Sequence, residues 1–219
     1  MPNTLLNETF KSVIPDERVR AVIQRLEAER RGARAGSPND DGQSRDPYDY
    51  AERGFSIRSD QGDLIYLLCR GMRATRVVEF ATSVGMSTLY FAAAMRDNGD
   101  GRVIGSELVP AKVATAMRNL SEAGLADYAE IREGDAPRTL RDLGGSVDFA
   151  LIDGWPRDQA PSLALEVIEI VAPQLRVGGY VMNDNAEPDC LEFIRDPRNG
   201  FISIALPLKK GTELSVKVA

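Results

Sequence analysis

From about residue 55 onward, the chain alternates short apolar runs with segments of helical spacing. The apolar runs lack the in–out alternation of a half-exposed strand, so they predict parallel strands that helices cover on both faces. The predicted strands span residues 77–80, 103–105, 129–132, 147–152 and 180–182. The predicted helices span residues 62–69, 87–95, 111–120 and 163–171. This order predicts an α/β fold with a doubly wound, mostly parallel sheet.

The C-terminal part of the chain differs from this alternation. Residues 201–208 and 213–218 are two apolar segments separated by a short polar turn with one glycine, which predicts an antiparallel hairpin. Pro207 favours an edge position because proline cannot donate a backbone hydrogen bond to a neighbouring strand. The hairpin brings the predicted Rossmann-like sheet to seven strands.

The N-terminal part predicts helices followed by a loop. After a break at Pro15, apolar side chains recur at helical spacing, namely at Val19, Val22, Ile23 and Leu26. Residues 36–50 are polar and rich in turn formers, which predicts a mobile loop. We therefore expect a helical extension and loop over residues 1–50 and one catalytic domain over residues 51–219. Packing is the default interpretation of the apolar helix face. Covering a ligand site or pairing with a second subunit is the alternative.

The rarity of two residue types restricts the chemistry. The chain contains no histidine, which excludes Ser-His-Asp and Cys-His catalysis and every histidine metal ligand. Its two cysteines, Cys69 and Cys190, are far apart in sequence, so they predict neither a CxxC metal site nor a disulfide framework. Any metal must then be held by oxygen ligands, which favours magnesium, manganese or calcium.

Charge and hydropathy restrict the partners. The net charge of −6 argues against broad attraction to nucleic acid or to an anionic membrane. No apolar run approaches the roughly 20 residues that span a bilayer, and the N-terminus lacks the pattern of a signal peptide. We expect a cytoplasmic protein that acts on a small molecule.

Acidic residues follow three successive predicted strands, where ligands of open α/β sheets bind. Glu79 ends the first strand, Glu107 the second and Asp135 the third. A carboxylate at position 79 disfavours a pyrophosphate and attracts the ammonium group of a methionine moiety. Glu107 is suited to the two ribose hydroxyls of a nucleoside, and Asp135 to an adenine amino group. The alternative for each acid is a helix cap or a solvated surface position, which is less plausible for three in a row.

The loop after the first strand supports a nucleoside ligand only weakly. Gly85 permits a close backbone approach and Ser87 begins the next helix, but Ala81 and Ser83 interrupt the GxGxxG pattern of dinucleotide sites. An NAD-dependent oxidoreductase is therefore a distant alternative.

Residues 55–219 resemble the cation-dependent O-methyltransferases, the family that includes catechol O-methyltransferase. The resemblance rests on the ordered segments SIRSDQGDLIYLL, EFATSVGMST, LIDGW and GGYVMNDN. It implies that residues 51–219 form a class I methyltransferase domain that binds S-adenosylmethionine and that the protein, like many relatives, is a homodimer. The residues implied to bind this cofactor are Ile57, Glu79, Ala81, Ser83, Gly85, Ser87, Glu107, Asp135, Ala136, Asp153 and Trp155.

Polar residues also end the fourth and fifth predicted strands. Asp153 follows the fourth strand and Asp184-Asn185 the fifth, and neighbouring strands lie about 4.8 Å apart. Two carboxylates and an amide oxygen form a plausible hard-cation site, although Asp and Asn are also common turn formers and helix caps. The resemblance implies that all three are metal ligands and that Asp153 is catalytic.

One segment departs from the family pattern. Catechol O-methyltransferases have a histidine and a lysine shortly after the first aspartate, and the lysine is the general base. Gly154 and Pro156 stand at these positions here, and Arg157 is a poor base because it stays protonated. Trp155 is suited to covering the adenine, lining the acceptor pocket or packing in the core. The loss of the lysine keeps two alternatives open: a metal-independent methyltransferase with an N or O acceptor, and a catalytically silent cofactor-binding protein.

Overall fold

The structure is a computed structural model that describes residues 12–35, 46–154, 160–209 and 211–219. Its strands are β1 (Arg76–Phe80), β2 (Arg102–Glu107), β3 (Ala129–Glu133), β4 (Val147–Ile152), β5 (Leu175–Asp184), β6 (Phe201–Leu206) and β7 (Thr212–Lys217). Its helices are α1 (Glu17–Ala35), α2 (Ser59–Gly71), α3 (Met86–Asn98), α4 (Pro110–Ala123), α5 (Ala136–Thr139), α6 (Leu163–Val171) and α7 (Pro188–Arg195).

The seven strands form one sheet in the order β3-β2-β1-β4-β5-β7-β6. Strands β1 to β5 pair in parallel, whereas β7 pairs antiparallel with both β5 and β6. The predicted doubly wound sheet with a C-terminal hairpin is confirmed. Strand β6 lies at the sheet edge and ends one residue before Pro207, in agreement with the expected edge position.

Successive residues of the central strands alternate between two hydrophobic cores. On one face, Val77 and Val103 pack with side chains of α1 to α4. On the other face, Val78 and Ile104 pack with side chains of α5 to α7. Both faces are therefore covered, which explains why the strands read as continuous apolar runs. In the part of the chain that the structure describes, no helix is long and apolar enough to cross a membrane.

Helix α1 belongs to the first of these cores. Its predicted apolar stripe is at most 4% exposed, and it consists of Val19, Val22, Ile23 and Leu26. The Arg18 guanidinium donates to the carbonyls of Ser121 and Glu122 at the end of α4. The default packing interpretation of this helix is thereby confirmed.

The structure differs from the predicted elements in a few places. Strand β5 begins five residues before the predicted start at residue 180. Gly178 and Gly179 interrupt the apolar pattern there, and a Cβ at Gly179 would lie only 3.0 Å from the Asp148 carbonyl oxygen. Helices α5 and α7 were not predicted because both are short and begin with proline near the first turn. Within the segment predicted as a loop, Pro47–Tyr50 form a 3-10 turn, and residues 36–45 lie outside the described residues.

Candidate active site

The loop between β1 and α3 turns the chain sharply at the carboxyl edge of the sheet. Ala81, Ser83 and Gly85 all have positive φ angles, of 65°, 52° and 84°. This conformation is unfavourable for residues with a Cβ, so the surrounding contacts must hold it in place. The Thr82 N–H donates to the Ser106 carbonyl of β2 at 3.0 Å, which ties the loop to the neighbouring strand.

Glu79 is buried below this loop and binds three hydroxyl groups. Its Oε1 accepts hydrogen bonds from Thr82 at 2.9 Å and Thr88 at 2.5 Å, and its Oε2 accepts from Ser87 at 2.7 Å. Burial raises the pKa of this carboxyl, and the three hydroxyl groups oppose that rise. Glu79 therefore links β1, the loop and the first turn of α3. Sequence analysis missed this linking role, for which the only signal was the hydroxyl residues that follow Glu79.

Glu107 holds the same loop from β2. Its Oε2 accepts from the Ser83 N–H at 2.7 Å, and its Oε1 accepts from the Val109 N–H at 2.9 Å. Lys112 is only 4% exposed, and burial lowers the pKa of its ammonium group, although the nearby Glu107 charge acts in the opposite direction. A buried lysine beside Glu107 is a feature that sequence analysis did not find.

The segment before α2 packs on this loop. The Phe55 N–H donates to the Ser83 hydroxyl at 3.1 Å, and the Lys112 ammonium lies 5.1 Å from the centre of the Phe55 ring. A Cβ at Gly54 would lie 2.9 Å from the Val84 side chain, so only glycine fits there without a shift. Ile57 follows and is 2% exposed. The structure thus brings the predicted residue Ile57 into the segment that covers the loop.

Asp135 and Ala136 lie at the start of α5, beyond the end of β3. The Gly134 N–H donates to the Glu107 carbonyl at 2.9 Å, so the β3–α5 turn is bonded directly to the end of β2. Asp135 is half-buried and Ala136 is 4% exposed. The three acids predicted for the cofactor, Glu79, Glu107 and Asp135, therefore lie along adjacent strand ends at one edge of the sheet.

The second group of predicted residues meets at the ends of β4 and β5. Ile152 is paired with Asn183, so Asp153 and Asp184 follow at equivalent positions on the two strands. The Asn185 amide nitrogen donates to Asp153 Oδ1 at 2.9 Å and lies 3.5 Å from Asp184 Oδ2. Burial, and then the negative charge of Asp184, raise the pKa of Asp153. Two carboxylates held this close favour a positive charge between them.

The donor set of this second group fits a hard divalent cation. It offers two carboxylates and one amide, the oxygen ligands that such ions prefer. Over the described ranges, with residues 155–159 among the gaps, no group of three or more His, Cys, Asp or Glu residues could hold a metal. A cation here would depend on Asp153, Asp184 and Asn185, completed by water or by an acceptor.

The segment that departs from the family pattern is described only at its start. Trp155, Pro156 and Arg157 lie outside the described residues. A Cβ at Gly154 would overlap the ring of Phe80, the last residue of β1. Any side chain at position 154 would therefore require this ring to move.

Comparisons with known proteins identify the family of this chain. A family model for a methyltransferase domain matches residues 78–186. A catechol O-methyltransferase from Niastella koreensis is 32% identical over 158 residues, which cover 66% of this chain and 71% of that enzyme. The chain belongs to the class I S-adenosylmethionine-dependent O-methyltransferases. A second relative of this O-methyltransferase, a catechol O-methyltransferase from Mycobacterium tuberculosis, is 32% identical over 63% of this chain and 64% of its own length.

More distant O-methyltransferases are matched over a smaller part of their length. The caffeoyl-CoA O-methyltransferase 1 of Eucalyptus globulus is 28% identical, and the match spans about half of it, 52%. Among solved structures, the O-methyltransferase TomG from Streptomyces achromogenes, in complex with S-adenosylmethionine, gives a TM-score of 0.66 at 20% identity and 90% coverage of both chains. A methyltransferase from Geobacter sulfurreducens gives 0.67 at 21% identity, over 91% of this chain and 89% of that one. These structural likenesses agree with the fold.

Proposed function

We propose that this O-methyltransferase moves the methyl group of S-adenosylmethionine to an oxygen of a small phenol- or catechol-like acceptor, assisted by a divalent cation. The observation that supports this most is the arrangement along the sheet edge. A nucleoside-binding set with Glu107 follows β1 to β3, and a hard-cation set with Asp153 and Asp184 follows β4 and β5. A methyl donor and an oxygen acceptor can therefore lie side by side.

Each set of residues has a distinct task in this proposal. Glu107 accepts hydrogen bonds from the ribose hydroxyls, and Asp135 with Ala136 contacts the adenine. The loop with Ala81, Ser83 and Gly85, together with Glu79, Ser87 and Ile57, surrounds the methionine moiety. Trp155 lies outside the described residues, and the resemblance alone assigns it to covering the adenine or lining the acceptor pocket.

Asp153 and its neighbours would act on the acceptor. Asp153, Asp184 and Asn185 would hold the cation, and Asp153 also contacts the cofactor. A divalent cation held by these residues would supply Lewis-acid chemistry, which would lower the pKa of an acceptor hydroxyl. The acceptor oxygen then forms its bond to the methyl carbon while the carbon–sulfur bond breaks, and the hydroxyl proton leaves to solvent. Holding both partners in line supplies much of the rate enhancement.

The replaced lysine position affects the choice of acceptor. Pro156 cannot take a proton, so the acceptor must lose its proton through cation activation or through its own acidity. We therefore expect acidic phenols and catechols to react faster than aliphatic alcohols. Metal-independent transfer to oxygen or nitrogen is the second candidate. The Lys209 ammonium lies 2.5 Å from Asp184 Oδ2 and already supplies a positive charge where the cation would bind.

Calorimetry with S-adenosylmethionine and S-adenosylhomocysteine tests the cofactor. Glu107→Gln replaces an acceptor of two backbone N–H groups by a side chain with only one acceptor oxygen. We expect the affinity of this variant for both ligands to fall about tenfold or more, because that factor corresponds to the free energy of one charged hydrogen bond. Glu133→Gln is the matched control, because Glu133 pairs with Glu107 on β3 but is exposed. Absence of binding to the unaltered chain would contradict the proposed function.

The rate of methyl transfer, measured with and without a divalent metal, tests the role of the cation. Methyl transfer from deuterated S-adenosylmethionine to a panel of catechols, phenols and amines is followed by mass spectrometry, with excess chelator or with added Mg²⁺. We expect Asp153→Asn and Asp184→Asn each to abolish the magnesium-dependent part of the rate, because each removes a carboxylate charge from the cation site. Full activity in chelator would contradict the cation and leave methyl transfer standing.

The cellular setting is part of the same proposal. Cys69 and Cys190 are free and buried, which suits a reducing cytoplasm. We also propose a homodimer that binds neither nucleic acid nor membrane. Sedimentation velocity measures the oligomeric state directly, and a monomer at micromolar concentration would contradict the dimer.

A further inference from the structure

Lys209 extends from the turn between β6 and β7 into the hard-cation set. Its Nζ lies 2.5 Å from Asp184 Oδ2, and its backbone has a left-handed φ of 51°. The Lys209 side chain is 25% exposed, whereas that of Asp184 is fully buried. An ammonium group thus enters the edge of the sheet at the point where a cation is proposed to bind.

All the acceptor positions of Asp184 that the structure describes are in use. Oδ1 accepts from the Gln61 amide at 2.9 Å and from the Thr212 hydroxyl at 3.2 Å. Oδ2 accepts from Lys209 and lies 3.5 Å from the Asn185 amide nitrogen. Because Gln61 and Thr212 also bond to each other, Oδ1 is fixed by the protein. Oδ2 is therefore the oxygen that an external cation would have to use.

A cation and the Lys209 ammonium cannot share this oxygen. Two positive charges within a few ångström of each other in a partly buried site repel strongly. Conversely, a buried carboxylate beside a second carboxylate is costly without a positive partner, which is the condition of Asp184 beside the half-buried Asp153 once the lysine has left. A metal and Lys209 are therefore alternative positive partners for the pair.

We propose that Lys209 is a built-in counter-ion of the Asp153–Asp184 pair and that a divalent cation binds only by displacing its ammonium group. The inference rests on the proposed function, which assigns a cation to this pair. Metal binding is then an exchange of one positive charge for another. The exchange lowers the affinity for metal and moves the Lys209 ammonium away from Asp184 Oδ2.

Manganese affinity of the chelator-treated full chain tests this exchange. Free Mn²⁺ is measured by electron paramagnetic resonance during a titration of the unaltered protein, Lys209→Met and Lys209→Gln. Removing the competing charge should tighten Mn²⁺ binding about tenfold or more in both variants. Lys209→Arg keeps the charge and should bind Mn²⁺ as weakly as the unaltered chain.

Lys217→Met is the matched control on the same hairpin. Its ammonium donates to the carbonyls of Ala172 and Leu175 rather than to a carboxylate. We expect this variant to leave Mn²⁺ affinity unchanged even if it lowers stability. Equal tightening in Lys217→Met and Lys209→Met would overturn the proposal.

Thermal unfolding gives a second readout that needs no turnover. In chelator, Lys209→Met should melt at a lower temperature than the unaltered chain, because the carboxylate pair has lost its partner. Mn²⁺ should stabilise Lys209→Met more than the unaltered chain.

Equal Mn²⁺ affinities for Lys209→Met and the unaltered chain would overturn the counter-ion role while leaving the cation site intact. No Mn²⁺ binding to any variant would overturn both, and turnover in chelator would then establish methyl transfer separately.

Discussion

At the scale of single residues, the acidic side chains along the sheet edge hold the protein itself together. Glu79 binds three hydroxyls and Glu107 binds two backbone N–H groups, so each acid fixes the loop after β1. This agrees with preorganisation, in which the protein fixes the polar groups of a site before a ligand arrives. The strained backbone of Ala81 and Ser83 is the part that these bonds maintain.

Glu79→Gln should therefore loosen the loop. Glutamine keeps one acceptor oxygen and replaces the other by an N–H₂ donor, so at least one hydroxyl must turn from donor to acceptor and the charge-assisted hydrogen bonds to the carboxylate are lost. We expect a loss of about 1–3 kcal/mol in the free energy of unfolding, measured by urea denaturation. Glu169→Gln, on the exposed side of α6, is the control and should change stability little. An unchanged urea midpoint for Glu79→Gln would argue against the linking role.

The positions of these residues could be predicted, but their contacts could not. Acidic residues at strand ends follow from the order of apolar runs, and the structure puts Glu79, Glu107 and Asp135 on one edge. The hydroxyl groups on Glu79 come from the loop and from α3, and they converge only once the chain turns with positive φ angles. Lys209 lies 25 residues after Asp184, and no local pattern indicates that their side chains meet.

At the scale of elements, Asp148 joins three strands. It lies near the amino end of β4, at the edge of the sheet opposite the carboxyl ends that carry the site. Its Oδ2 accepts from the N–H groups of Thr75 and Arg76 at the start of β1, and its Oδ1 accepts from Arg176 of β5. Burial alone would raise the pKa of Asp148, but these hydrogen bonds outweigh it and lower the pKa. The carboxylate on β4 thereby fixes the register of β1 and β5.

Asp148→Asn should lower stability in a pH-dependent way. Since the pKa in the folded state is depressed, the carboxylate stabilises the fold above its ordinary pKa of 3.8, and this contribution is lost as pH falls through the folded-state value. We expect the variant to be about 2–4 kcal/mol less stable near pH 7 and the difference to shrink below about pH 4. Urea unfolding from pH 3 to pH 8 measures it. A difference that stays constant with pH would contradict the ionised role.

Elements with a strong local pattern were predicted closely. Helix α6 and strand β4 match the predicted ranges at both ends. Strand β5 was predicted too short because its first half contains two glycines and exposed positions rather than a continuous apolar run. Its early start depends on the pairing of Leu175 with Val147 of β4, and its last two residues pair with β7, which is tertiary information.

At the scale of the whole molecule, the N-terminal helix is part of the main core. Four of its apolar side chains are buried against α3 and α4, and Ser12 donates a 2.6 Å hydrogen bond to the buried Asp63 of α2. Sequence analysis separated residues 1–50 from the following domain because the polar stretch at 36–50 predicted a mobile loop between them. Sequence patterns do not report which faces of distant helices meet.

A chain truncated to residues 51–219 should not fold stably, so we expect it to show no cooperative unfolding transition. Each buried aliphatic side chain contributes about 1.5–3 kcal/mol, so losing four of them approaches the total of about 5–15 kcal/mol that stabilises a typical domain. Thermal unfolding followed by circular dichroism measures this. A chain that begins at residue 12 is the control and should unfold cooperatively. A sharp transition in the shorter chain would instead support an independent domain over 51–219.

Helix α3 follows the β1–α3 loop and is buried over most of its length. Its residues 86–95 are all buried, so none of these ten side chains can change without disturbing a neighbour. A methyltransferase built this way has little freedom to diverge in the helix that follows the β1–α3 loop. Under the proposed function, we expect changes of acceptor to arise instead in the turns at the ends of β4 and β5 and in the hairpin that carries Lys209, which lie outside this buried helix.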